Sequence, residues 1–209
     1  NFIPTDMCRK LTDLKKIQAK GHVSLVCFFV SCICSFNSVA LAQDASVRFI
    51  KLSTEQGLSQ SSITCIFQDN ERFMWFGTYR GLNRFDGYNF IENRFNQSDL
   101  YSVSDNHIRS ICQDPAGGLI VGTMNGLNRY LTNTGKFVRF FHDPDDPNSL
   151  SNNTIYRVIT DRDGDIWICT GGGGLDKMER LSGDYDDERK ARFRFIHHVP
   201  DGGKNSISS

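Results

Sequence analysis

Short apolar runs broken by glycine, asparagine and aspartate recur along the chain from Ile63 onward. Within a run, apolar residues occupy both parities: Ile63, Cys65 and Phe67 are interleaved with Ile66. A strand with one wet face alternates strictly, so these runs predict short strands covered on both faces. The runs also repeat as a set. Matching Ile63, Ile108 and Ile155 aligns three units at steps of 45 and 47 residues. In each, the first run ends at an aspartate (Asp69, Asp114, Asp161), and a turn leads to a second run carrying Trp75, Ile120 or Trp167. Gly81, Gly126 or Gly174 breaks the chain again, Leu82, Leu127 or Leu175 opens a third run, and an aromatic-rich fourth run closes the unit. Polar crossings, "YSVSDNH" and "NSLSNNT", join one unit to the next.

Four short runs per unit, separated by turn residues, predict a four-stranded antiparallel meander. A period of roughly 40–50 residues with four strands is that of a β-propeller blade. A helical solenoid of similar period would need sustained 3.6-residue spacing, which no segment shows. The fold class expected is all-β: a β-propeller fragment of about three four-stranded antiparallel blades plus an N-terminal closing strand. The blades should span about 59–104, 105–151 and 152–209, with 47–52, "VRFIKL", as the closing strand of a last blade that this stretch does not include. Closure takes roughly four or more blades, so residues 43–209 are expected to be part of a longer protein. Between blades, the indoles of Trp75 and Trp167 are the natural fillers, and Gly77 and Gly122 should let backbones approach closely.

The front of the chain has a different grammar. Arg9, Lys10, Lys15, Lys16 and Lys20 precede an apolar run, Val23–Cys34, and Ala40-Leu41-Ala42 places small residues where a signal peptidase reads. Residues 1–42 are therefore expected to be a secretory signal, with a retained signal-anchor helix as the rival. Residues 1–6 precede Met7 and are expected to lie upstream of the true start. Removing 1–42 leaves 24 − 5 = 19 basic against 24 − 2 = 22 acidic side chains. That balance gives no electrostatic reason to expect nucleic acid. Three cysteines remain, Cys65, Cys112 and Cys169. Each sits among apolar residues and reads as a small buried hydrophobe.

Catalytic and metal motifs do not emerge. Asp161–Asp165 resembles a calcium loop, but its glycine, Gly164, is at position four and position twelve is Gly172, both wrong for one. Gly171–Gly174 lacks the lysine and hydroxyl residue of a phosphate loop. No metal ligands, cofactor or catalytic residues are expected. Comparing the units points instead to a ligand face. Slots constant across units are scaffold, while variable slots between constant neighbours are free to serve a ligand. In an up-and-down blade, the crossing into the first strand and the turn between strands two and three share one face. The variable residues there are Tyr79, Arg80, His107, Arg109, Asn125 and Tyr156, with Thr64 in the same slot as Arg109 and Tyr156. An arginine beside tyrosines suits an acidic or sugar ligand through charge-assisted bonds and stacking. Ordinary solvated rim residues are the alternative.

The stretches "LSTEQGLSQSSI", "DNERFMWFGTYRGLNRFDGYNF" and "DPDDPNSLSNNTI" resemble the two-component-regulator propeller repeats of bacterial hybrid two-component histidine kinases. The resemblance runs from about Val47 to Ser209. It implies the N-terminal part of an extracytoplasmic sensor region, periplasmic and attached to an inner-membrane protein, which detects a glycan or its breakdown product. It also implies further blades and membrane-signalling domains as partners, and the full-length protein is expected to pair as a homodimer. The third unit departs from the pattern: Cys169 replaces a glycine and Asp184–Arg192 lengthens a loop. Kinase chemistry has no matching residues here, so this stretch is expected not to be an enzyme. The rival readings are an exported propeller lyase or hydrolase and a non-catalytic protein-interaction propeller.

Overall fold

A computed structural model describes residues 48–181 and 192–199. The expected secretory signal lies outside the described residues. After a single 3-10 turn at Thr54–Gln56, every regular element is a strand. The first blade is β1 (Ile63–Gln68), β2 (Met74–Thr78), β3 (Gly81–Phe85) and β4 (Phe90–Asn93). The second is β5 (Ile108–Gln113), β6 (Leu119–Thr123), β7 (Leu127–Leu131) and β8 (Lys136–Phe140). The third is β9 (Ile155–Thr160), β10 (Ile166–Thr170), β11 (Gly174–Arg180) and β12 (Phe193–His198). Each blade is its own antiparallel sheet with strands in chain order. Residues 48–52, the described part of the expected closing strand, pair with no described strand.

The core lies between the blades. One cluster joins Trp75 and Leu82 of the first blade to Ile108, Ile111, Leu119, Val121, Tyr130 and Phe137 of the second. The other joins Cys112, Ile120 and Leu127 of the second to Ile155, Val158, Ile166, Ile168, Met178 and Phe195 of the third. The second blade is thus covered on both faces, which is why its strands carry apolar residues at both parities.

Glycine makes the close contact possible. A Cβ on Gly122 would stand 2.5 Å from Ile155 Cγ2, and one on Gly77 would stand 2.8 Å from Ile108 Cγ2. Each glycine receives the first isoleucine of the next blade. Gly122→Ala should therefore overpack the junction and lower stability by about 1–3 kcal/mol in denaturant titration. An unchanged midpoint would mean that the blades can slide apart at no cost. In the third blade Cys169 holds this slot and is exposed, since no described strand packs on it. Of the three cysteines, Cys112 alone is fully buried, and burial pushes its thiol up to about 11.

Two polar devices fix each blade. At the β1–β2 hairpin, Asp69 Oδ1 accepts the Phe73 N–H (2.9 Å) and Oδ2 accepts the Trp75 indole N–H (2.7 Å). Asp161 and Trp167 repeat this in the third blade at 2.8 Å. The second blade has Ile120 in the tryptophan slot, and Asp114 Oδ2 instead accepts the Nε–H of a buried arginine, Arg129.

The second device latches the incoming crossing to the blade. In the first blade Ser59 N–H donates to Asn83 Oδ1 (2.9 Å), Asn83 Nδ2 donates to Ser59 Oγ (2.7 Å), and the Ser59 and Thr78 hydroxyls share a bond (2.9 Å). Ser104, Thr123 and Asn128 repeat it. The crossing also shields the blade's outer edge, since Phe137 and Phe195 N–H groups donate to Tyr101 and Asn148 carbonyls, both at 2.9 Å. Edge strands left bare would invite association.

Candidate functional site

The latch threonine positions the turn that carries the first candidate residues. Thr78 Oγ1 donates to the Gly81 carbonyl (2.9 Å) and accepts the Arg80 N–H (3.0 Å), closing the turn at Tyr79-Arg80. Thr123 does the same for the turn at Met124-Asn125. Gly81 and Gly126 follow with φ of 135° and 104°, a region that only glycine enters freely, so the turns end where a side chain would be strained.

The innermost strands supply the remaining residues through a bulge that repeats in every blade. Strand pairing jumps from Ile63↔Thr78 to Cys65↔Gly77, leaving Thr64 as the extra residue. It jumps from Ile108↔Thr123 to Ser110↔Gly122, leaving Arg109. It jumps from Ile155↔Thr170 to Arg157↔Cys169, leaving Tyr156. A bulge re-aims its unpaired side chain and commonly sits beside functional sites. Here the three bulge side chains converge. Together with Ile63 and Tyr79 they line an open depression of about 360 Å³.

Its chemistry is cationic and aromatic. The Arg109 guanidinium stands 5.4 Å over the Tyr156 ring, and among the described residues no carboxylate lies within ion-pairing distance of it. Tyr79 and Tyr156 are about half exposed, at 49% and 53%. Thr64 donates its hydroxyl to the Ile108 carbonyl (2.7 Å), so toward a ligand it can only accept. His107 lies beneath Tyr79, ring centroids 4.4 Å apart, with its Nε2 buried and unpartnered. Burial and then the neighbouring Arg109 push His107 below the ordinary histidine value, while Asp105 opposes them. It is therefore neutral at pH 7.

The structure thus brings together Tyr79, His107, Arg109 and Tyr156 of the sequence-predicted set. Arg80 and Asn125 are exposed on their turns and do not line the depression. The sequence comparison put Thr64, Arg109 and Tyr156 in one slot, and the strand pairing makes that slot a bulge, which the sequence did not reveal. A larger groove of about 500 Å³ lies along the outer strands of the second and third blades. Its charged groups are committed elsewhere. Arg139 donates to the Asp99 and Ser102 carbonyls, and Asp143 and Asp146 accept N–H groups of their own loop.

The two component regulator propeller family model matches residues 57–80, 102–125 and 149–172. Each match covers the serine and threonine of a latch, an innermost strand, the second strand and, in whole or part, the turn after it. Histidine kinase P4 of Formosa agariphila is 42% identical over 71 residues, covering 34% of this chain and 5% of that protein. The extracellular domain of a protein described as a hybrid two component system from B. thetaiotaomicron superposes with a TM-score of 0.60 at 29% identity. That match covers 71% of this chain and 20% of the other, so the chain spans a small part of either relative. With the blade order, the recurring latches and the matched segments in agreement, each of the three blades carries a two-component regulator propeller repeat.

Proposed function

We propose that this chain forms part of the extracytoplasmic sensor region of a membrane two-component signalling protein, on the periplasmic side of an inner membrane. The depression bounded by Thr64, Tyr79, Arg109 and Tyr156 contacts the ligand, a glycan or its breakdown product bearing an acidic group. The observation that carries this reading is the convergence of three successive bulge side chains at a guanidinium that has no carboxylate partner among the described residues. A ring carboxylate would meet Arg109 in a charge-assisted bond, and the tyrosine rings would take the apolar face of a sugar. An exported enzyme would need an accessible acid–base group here, and the Nε2 of His107 is covered.

Calorimetric titration with paired neutral and uronic-acid oligosaccharides tests the proposal. Arg109→Gln should weaken binding of the acidic member about tenfold to a hundredfold, in line with a lost charge-assisted bond. Tyr156→Ala should weaken both members. Equal affinity for wild type and both variants would place the ligand site elsewhere.

A further inference from the structure

The crossing latch is made of non-titrating groups in two blades and of titrating groups in the third. In the first and second, the Asn83 and Asn128 amides donate to a serine hydroxyl and to the cross-strand carbonyl, Phe76 or Val121, at 3.3 Å. The third blade has Asp176 in that slot, with Ser151 and Thr170 in the same roles as their counterparts. Asp176 is fully buried. Its Oδ2 accepts the Ser151 N–H (2.9 Å), as the asparagines do, but its Oδ1 has no partner. That oxygen stands where the other latches place a donor, on the strand position paired with Ile168.

The outer strand changes in step. His197 pairs in register with Asp176, as Arg139 pairs with Asn128. Arg139 donates to the Ser102 carbonyl, and His197 Nε2 donates to the equivalent Ser149 carbonyl (2.8 Å), 4.0 Å from Asp176 Oδ1. An amide and a permanent cation have become a carboxyl and an imidazole. A protonated Asp176 can donate as the asparagines do. An ionised one leaves a buried oxygen unsatisfied, with its charge offset only when His197 is the doubly protonated cation.

We propose that Asp176 and His197 form a proton-operated latch on the crossing that delivers Tyr156 to the central depression. The link to the depression is short. Beyond Ser151, the Asn153 carbonyl accepts the Gly126 N–H (2.7 Å) and the Thr154 carbonyl accepts the Gly171 N–H (2.8 Å), two residues before Tyr156. Burial pushes the Asp176 carboxyl up, opposed by the Ser151 N–H and hydroxyl and by His197 and His198. Those two histidines of β12 are the charge-bearing groups acting on it, and Ser151 is the group of the crossing that does. A carboxyl held above its ordinary value, about 4, stabilises the fold most at low pH, and this contribution fades as pH rises through the raised value. The latch is therefore tight in acid and looser toward alkaline pH. It stands whether or not the depression takes a glycan.

Amide hydrogen exchange on the full chain between pH 5 and pH 8, corrected for intrinsic rates, tests it with an internal control. Protection of the Ser151 N–H should fall about tenfold relative to that of the Ser104 N–H, whose asparagine latch does not titrate. Asp176→Asn, which copies the other two blades, should hold the ratio constant. His197→Arg, which copies the second blade, should reduce its change to less than about threefold, because a permanent cation then faces the carboxylate. A constant ratio in wild type, or a change that persists in Asp176→Asn, overturns the latch. A full tenfold change in His197→Arg overturns the pairing with His197.

Discussion

Replacing Arg129 with methionine is expected to lower stability by about 3–5 kcal/mol, the range for breaking a buried charge pair from one side. The side chains of Arg129 and Asp114 are only 2% and 7% exposed. Asp114 Oδ1 already serves the hairpin through the Ala116 N–H (2.9 Å), so methionine would strand Oδ2 as a buried anionic acceptor. Methionine fills much of the arginine's stem, which keeps the cavity term small and isolates the charge. Adding Asp114→Asn to Arg129→Met should recover a large part of the loss, because the stranded group is then neutral. Arg84→Met is the matched control. Arg84 occupies the same slot in the first blade, is half-buried, and stacks on Phe73 at 4.5 Å while Asp69 is served by an indole. It should cost about 1 kcal/mol or less. A loss below about 1 kcal/mol for Arg129→Met, read from urea denaturation, would show that water reaches Asp114 and the pair is not a buried one.

That pair also marks how far the sequence could be read. The period, the four runs per unit and the position of the core were legible, because apolar runs and Gly/Asp turns are local signals and repetition multiplies them. A basic residue in the third strand was equally visible in all three units, as Arg84, Arg129 and Lys177. Its burial in one blade was not. Arg129 goes inside because Ile120 supplies no indole N–H, so the aspartate needs another donor; the consequence crosses two strands and cannot be seen in either alone. The bulges were hidden for a similar reason. Thr64, Arg109 and Tyr156 differ in every property, and only strand pairing reveals that each is the unpaired residue. Cys169 was misjudged because it follows the apolar run Ile166–Ile168, whereas its exposure depends on what packs against that face. The exchange of asparagine for Asp176 was in plain view, but it acquires meaning only once Asn83 and Asn128 are known to donate from a buried position.

Trp75→Ala is expected to be the most damaging single truncation in the first blade, at about 3–5 kcal/mol. The indole is 1% exposed, its ring meets Tyr130 edge-on with centroids 5.0 Å apart, and its N–H satisfies Asp69. Alanine would open a cavity between the first two blades and at the same time leave Asp69 Oδ2 without its donor. Trp75→Phe separates the two effects. It keeps most of the apolar contact but removes the N–H, so its cost should be the roughly 1–3 kcal/mol of an unsatisfied buried acceptor. Trp167 makes the same bond to Asp161 at 2.8 Å but is half-buried. Water can replace its N–H and less apolar area is at stake, so Trp167→Ala should cost about 1–2 kcal/mol. Equal losses at Trp75 and Trp167 in urea denaturation would mean that hairpin capping by the Asp–indole bond, rather than packing between blades, is what the tryptophan contributes. The ordering Trp75→Ala, then Trp75→Phe and Trp167→Ala, would assign the larger share to the junction between blades, the surface on which the whole repeat depends.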